Sequence, residues 1–136
     1  MQLAEAQIKT LQSIGIDALI AFGSRAQGLS RPTSDFDFGL LLQDKSRLAD
    51  PVARKQIYDQ TYDILSNHLN QLVNIDIVFL ENTTYELRAH VMKYGQVVFE
   101  SRPGIFADFK DQTMIIYADM APLRFVFQRG TLARIT

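Results

Sequence analysis

The chain has 136 residues, 47% of them hydrophobic and 21% charged, a balance that excludes a disordered or fibrous protein and allows one core burying roughly two-thirds of the unfolded surface. A formal net charge of −1 excludes a field that would draw the whole molecule onto nucleic acid or an anionic membrane, and the lack of cysteine excludes disulfides, thiolate metal sites and cysteine nucleophiles. No basic segment precedes an apolar run at the amino terminus, and no stretch reaches the roughly 18 to 20 apolar residues that span a bilayer, so a cytoplasmic protein with a single domain over residues 1–136 is expected.

Leu3, Ala4, Ile8 and Leu11 recur at helical spacing, and Gly15 before Ile16 reads as a left-handed cap, which predicts a helix over residues 3–14. The apolar run 17–22 then predicts a buried strand that stops at Gly23. A loop through residue 34, holding Gly28 and Pro32, leads to DFDFGLLL, a second strand over residues 35–42. Between Pro51 and Val73, Tyr58, Tyr62, Leu65, Leu69 and Leu72 step by four and three, as on the stripe of a long helix. NIDIVFL predicts a third strand over 74–80, and Thr83 with Glu86 reads as a capping box opening a helix that carries Leu87, Val91 and Tyr94 on one face. QVVFE, 96–100, predicts a fourth strand. After Pro103, the positions Phe106, Phe109, Thr113, Ile116 and Met120 trace another helical stripe that ends before Pro122. The final segment, LRFVFQRGTLARIT, fits either a partner-binding segment or packing on the chain's own sheet.

The chemistry lies in the acids. Asp35 and Asp37, two apart on a strand, leave the same face, and such carboxylates repel unless a cation, a proton or strong donors compensate. A divalent metal is the commonest compensation. Asp76, between Ile75 and Ile77 in an apolar strand, supplies a third acid if the second and third strands pair. Three carboxylates around one space suit two magnesium ions roughly 3.5 to 4 Å apart, which stabilise the entering and leaving oxygens of an in-line displacement at phosphorus. Gly23 and Ser24 offer closely approachable backbone N–H groups and a hydroxyl for phosphates, and Arg25 adds charge or pairs with a surface acid. His68 and His90 fall within helical patterns and read as packing or surface residues.

Gly23, Ser24, ten intervening residues, then Asp35, Phe36 and Asp37 resemble the GS-x10-DxD signature of the DNA polymerase β-type nucleotidyltransferase superfamily, and Asp76 resembles its third carboxylate. Within that superfamily the run FGSRAQGLSRPTSDFDFGLLL is similar to the minimal nucleotidyltransferase family, with Gln27 standing where those proteins often carry arginine. The resemblance is strongest from Phe22 to Leu42 and extends by strand pattern to about Leu80. It implies an α+β fold of the polymerase β-like nucleotidyltransferase type, with a mixed central sheet and helices packed mainly on one side. It further implies two Mg2+ ions, ATP as nucleotide substrate and release of pyrophosphate. Many members of the family act as antitoxins that attach AMP to a tyrosine hydroxyl of a HEPN-domain ribonuclease toxin. The resemblance assigns both metals to Asp35 and Asp37, the acceptor-side metal to Asp76, and the outer phosphates to Gly23 and Ser24.

Two other functions compete. One is an antitoxin that masks its toxin without catalysis, against which the three gathered carboxylates argue. The other is nucleotidyl transfer to a small molecule such as an aminoglycoside, a reaction for which related enzymes usually add a substrate domain. A template-dependent polymerase is disfavoured by the absence of a broad basic surface.

Overall fold

The computed structural model describes residues 1–23, 35–69 and 74–119. Along them run α1 (Glu5–Ile14), β1 (Ile16–Phe22), β2 (Phe36–Leu42), α2 (Pro51–Leu69), β3 (Ile75–Phe79), α3 (Tyr85–Tyr94), β4 (Gln96–Glu100) and α4 (Ile105–Asp119), with short 3-10 turns at Lys45–Ala49 and Leu80–Asn82. Gly15 ends α1 as expected. At a φ of 93° its N–H donates to the carbonyl of Gln12, a conformation that costs glycine nothing, and β1 follows at once. Pro51 opens α2, where its missing N–H is no loss.

The strands form one sheet in the order β3-β2-β1-β4. β1 is antiparallel to both β2 and β4, whereas β2 and β3 are parallel and α2 makes the crossover that a parallel pair requires. The sheet is therefore mixed, as the resemblance implies. Alternation along the strands divides the apolar residues between two cores. Leu19, Phe38, Leu40, Ile75 and Ile77 face Leu11 of α1 and Ile57 and Leu65 of α2, while Ala18, Ile20, Phe22 and Leu41 face Val91 and Met92 of α3 and Ile105 of α4.

The α+β architecture is as expected, and one detail of it is corrected: the helices are not mainly on one side but two on each face. The reason lies in α3 and α4, which each keep a short apolar stripe turned to β1 and share a core with Leu41 of β2.

Three stripes differ from the periodicity reading. In α2 the buried line is Ile57, Thr61, Ile64 and Leu65, centred beside Tyr58 and Tyr62, which are only half buried and stack on each other at 6.3 Å between ring centroids. Leu72 lies outside the described residues. The cap of α3 is Thr84, whose hydroxyl accepts from the N–H of Leu87 at 3.1 Å, while Thr83 donates instead to the carbonyl of Leu80. Val91 and Met92 are buried there, whereas Tyr94 is 40% exposed. In α4, Ile105 and Thr113 are buried, Ile116 is exposed, and Met120 and residues 121–136 lie outside the described part. No helix among the described residues is long and apolar enough to cross a membrane.

Candidate nucleotidyl-transfer site

The site is built where β1 ends and β2 and β3 begin. In β2 the rings of Phe36 and Phe38 pack against the α1–α2 core and stack at 6.4 Å, so the intervening Asp37 faces the other way. The ladders place Phe22 of β1 opposite Asp37 on one side and Asp76 of β3 opposite it on the other. Directly opposed residues share a face, so Asp37 and Asp76 leave the same side of the sheet. Asn74 holds the parallel register at its start by accepting from the N–H of Phe36 at 2.9 Å. Asp35 sits just before β2, exposed, and its charge reaches Asp37.

The electrostatics follow from that grouping. Burial comes first, and the charges of Asp76 and Asp35 next, in pushing the carboxyl of Asp37 above the ordinary carboxylate range. Among the described residues no three acidic, imidazole or thiol groups already close on one point at metal-ligand distance. The donor set nevertheless fits a hard divalent cation. It consists of oxygen ligands only, and burial first, with the charges of Asp76 and Asp35 next, already makes one carboxylate hold its proton more tightly, a penalty on its charged form that a doubly charged ion relieves.

Two glycines shape this corner. Gly23 has a φ of 80°, and a Cβ on it would collide with the Asp37 carboxylate, so only glycine lets the end of β1 lie against that acid. Gly39 follows Asp37 by two positions on the same face, and a Cβ there would come within 2.7 Å of the Leu80 side chain. Leu80, fully buried, thereby closes over β2 beside the acids. Gly39 was not among the expected site residues, although a glycine inside the apolar run FGLLL is the mark of a close approach. A cavity of about 130 Å³ also opens at this end, lined by Phe22, Phe36, Asp37 and Gln96 among others. Ser24 and Arg25 lie outside the described residues, so of the expected set the structure brings together Gly23, Asp35, Asp37 and Asp76.

Carboxylates gathered on one sheet face, against a glycine-ended strand, suit metal-assisted chemistry at a phosphoryl group, the chemistry of nucleotidyl-transferring proteins. The family model described as "Polymerase beta, Nucleotidyltransferase" matches residues 5–103, and the chain belongs to that family. No curated protein matches it. Among solved structures, a toxin–antitoxin crystallised with AMP-PNP is similar to it at 22% identity and a TM-score of 0.71, over 96% of this chain and 99% of that one. A complex of a tri-AMPylated Shewanella oneidensis HEPN toxin with its MNT antitoxin is similar at 20% identity and a TM-score of 0.64, over 92% of each chain. At these identities the likeness carries the fold.

Proposed function

We propose that this protein is a magnesium-dependent adenylyltransferase and antitoxin that moves AMP from ATP to a tyrosine hydroxyl of a HEPN-domain toxin, releasing pyrophosphate. The observation that carries the reading is the opposition of Asp37 and Asp76 across the parallel ladder, within reach of Asp35's charge and hard against Gly23. Similarly folded chains, one solved with AMP-PNP and one beside an AMPylated HEPN toxin, support the choice of nucleotide and partner. We read residues 1–136 as one nucleotidyltransferase domain working in the cytoplasm.

In this proposal Asp35 and Asp37 hold two Mg2+ ions and Asp76 shares the one on the acceptor side. When bound, the ions neutralise the charge that develops on the entering and leaving oxygens. Gly23 and Ser24 bind the β- and γ-phosphates through backbone N–H groups and a hydroxyl, with Arg25 adding positive charge. The acceptor oxygen attacks the α-phosphorus, the bond from that phosphorus to the bridging oxygen breaks, and pyrophosphate leaves. Asp76, on the acceptor side, takes the hydroxyl proton. Catalysis here is mostly placement of the acceptor and the nucleotide in line. A purely masking antitoxin has no use for three mutually repelling carboxylates.

Intact-mass spectrometry of the HEPN partner after incubation with this protein, ATP and Mg2+ tests the proposal. Increments of whole AMP units, absent with Asp35→Asn Asp37→Asn, are expected. A stable complex without any increment would replace it with the masking reading.

A further inference from the structure

The carboxylate site leaves a second feature of the same sheet face unused. α3 and α4 pack side by side over β1 and enclose between them a groove of about 580 Å³. Its floor is Met92, Met114 and Tyr117, and its rim carries Lys93 and Lys110, with Glu86 toward the other end of α3. Met114 is 44% exposed, and the neighbouring Ile115 and Ile116 are 63% and 39% exposed. Of these only Met114 lines the groove, since Ile115 and Ile116 are turned about 100° and 200° further around α4, so the groove presents Met114 as its open apolar contact. Neither lysine forms an ion pair among the described residues.

The groove is also in register with the acids. Phe22, directly opposite Asp37, belongs to the core beneath α3 and α4, so groove and carboxylates look out from one side of the sheet. Ala21 pairs with Gln96, two residues after the end of α3, so that helix finishes at the end of the sheet where Gly23 and Asp37 meet. α4 starts at the opposite end, where the N–H of Phe106 donates to Glu100 at 2.8 Å, and runs back toward Tyr94.

We infer that this groove docks the acceptor polypeptide, an inference that rests on the proposed transfer to a protein. The occupant is an amphipathic segment whose apolar side chains seat on Met92, Met114 and Tyr117 and whose carboxylates meet Lys93 and Lys110. The charge pattern favours it: Lys110 and Lys93, the latter resting over the Tyr94 ring at 5.2 Å and neither ion-paired among the described residues, outnumber the one acid of the lining, Glu86, around an apolar floor and so favour an acidic border around an apolar anchor. Methionines in the floor adapt to the anchor's shape. Docked there, the acceptor lies beside the acids on their own face.

The test compares binding of the purified HEPN-domain partner, by titration calorimetry, to the wild-type chain, to Met114→Glu, to Lys93→Glu Lys110→Glu and to Phe125→Glu Phe127→Glu in the C-terminal segment. Met114→Glu is expected to weaken binding about 30-fold or more, and the double lysine reversal at least about tenfold, with AMP-PNP affinity unchanged. Unchanged partner affinity in both groove variants, each folded by circular dichroism, would overturn the inference. So would loss of binding only in the Phe125→Glu Phe127→Glu variant, which would move the contact to the C-terminal segment. A wild-type dimer dissolved by Met114→Glu would instead make a second copy the occupant. The transfer reading fails separately: a partner that binds through the groove yet gains no mass with ATP leaves the docking intact and removes the reaction.

Discussion

The two faces of the sheet use the same strands for opposite ends. On one, α1 and α2 cover a continuous apolar layer from Leu11 and Leu19 through Phe38 and Ile77 to Leu65, and no charged residue enters it. On the other, α3 and α4 pack chiefly on β1 and β4 and share a core with Leu41 late in β2, while Asp37 and Asp76 sit near the start of β2 and of β3. Alternation alone separates them: in the run FDFGLLL one parity goes to the core and the other to the site. The lesson is that stability and chemistry are written in interleaved positions, so neighbouring substitutions in one strand are expected to have unlike effects.

The largest expected effect is on the acidic face. Asp37→Asn is expected to lower AMP transfer by at least about a hundredfold, more than the loss of an outer-shell metal contact gives. In the presence of a chelator it should leave the melting temperature unchanged or raise it, since it removes a repelled charge. A variant that melts earlier and keeps its activity would erase the contrast between the faces. Across the sheet, Leu65→Ala or Ile57→Ala is expected to cost about 2–5 kcal/mol in urea unfolding while the folded fraction keeps its specific activity. Asp76→Asn should reduce turnover more than nucleotide affinity, and an equal loss in both would move it to the nucleotide side.

A smaller effect sharpens the electrostatics. Because the folded chain raises the pKa of Asp37 above its unfolded value of 3.8, the native state binds this proton more tightly. In chelator, that contribution favours folding at pH below 3.8 and is lost as pH rises through the raised value. Subtracting the Asp37→Asn pH profile from that of the wild type is therefore expected to show a relative fall in wild-type stability over that window. A difference that rises with pH instead would mean that donors, not repulsion, dominate at Asp37. The smallest expected effect is Thr84→Ala, about 1 kcal/mol from the lost cap of α3, measured by denaturant unfolding.

Much of this was legible in the chain. The strands, the Gly15 cap, and the placing of Asp37 and Asp76 within strands come from alternation and turn chemistry, which are local, whereas the register that sets those two acids opposite each other and the start of β2 after Asp35 are set by strand pairing. What was not legible depends on partners in space. Nothing in α2 distinguishes a stripe through Ile57 from one through Tyr58 until the sheet lies beneath it. Thr83 and Thr84 are equal as caps until the 3-10 turn at Leu80–Asn82 uses the first. The distribution of helices over two faces is likewise tertiary: α3 and α4 have apolar residues enough for either arrangement. Gly39 was visible as a glycine, but its reason, the Leu80 side chain, comes from beyond β3.

The parallel pairing of β2 with β3 has one more consequence, for the order in which the molecule comes into being. The acids that meet across that ladder are separated in the chain by the whole of α2, so their meeting requires a long loop to close and a helix to dock. Contacts between β1 and β2 close the shorter loop between Phe22 and Phe36 and need no helix to dock. A nascent chain that has emerged only through α2 can thus fold its first hairpin and still lack its third carboxylate. Onset of AMP transfer during refolding should then lag behind formation of that hairpin, making catalysis itself a clock for closure of the β2–β3 ladder.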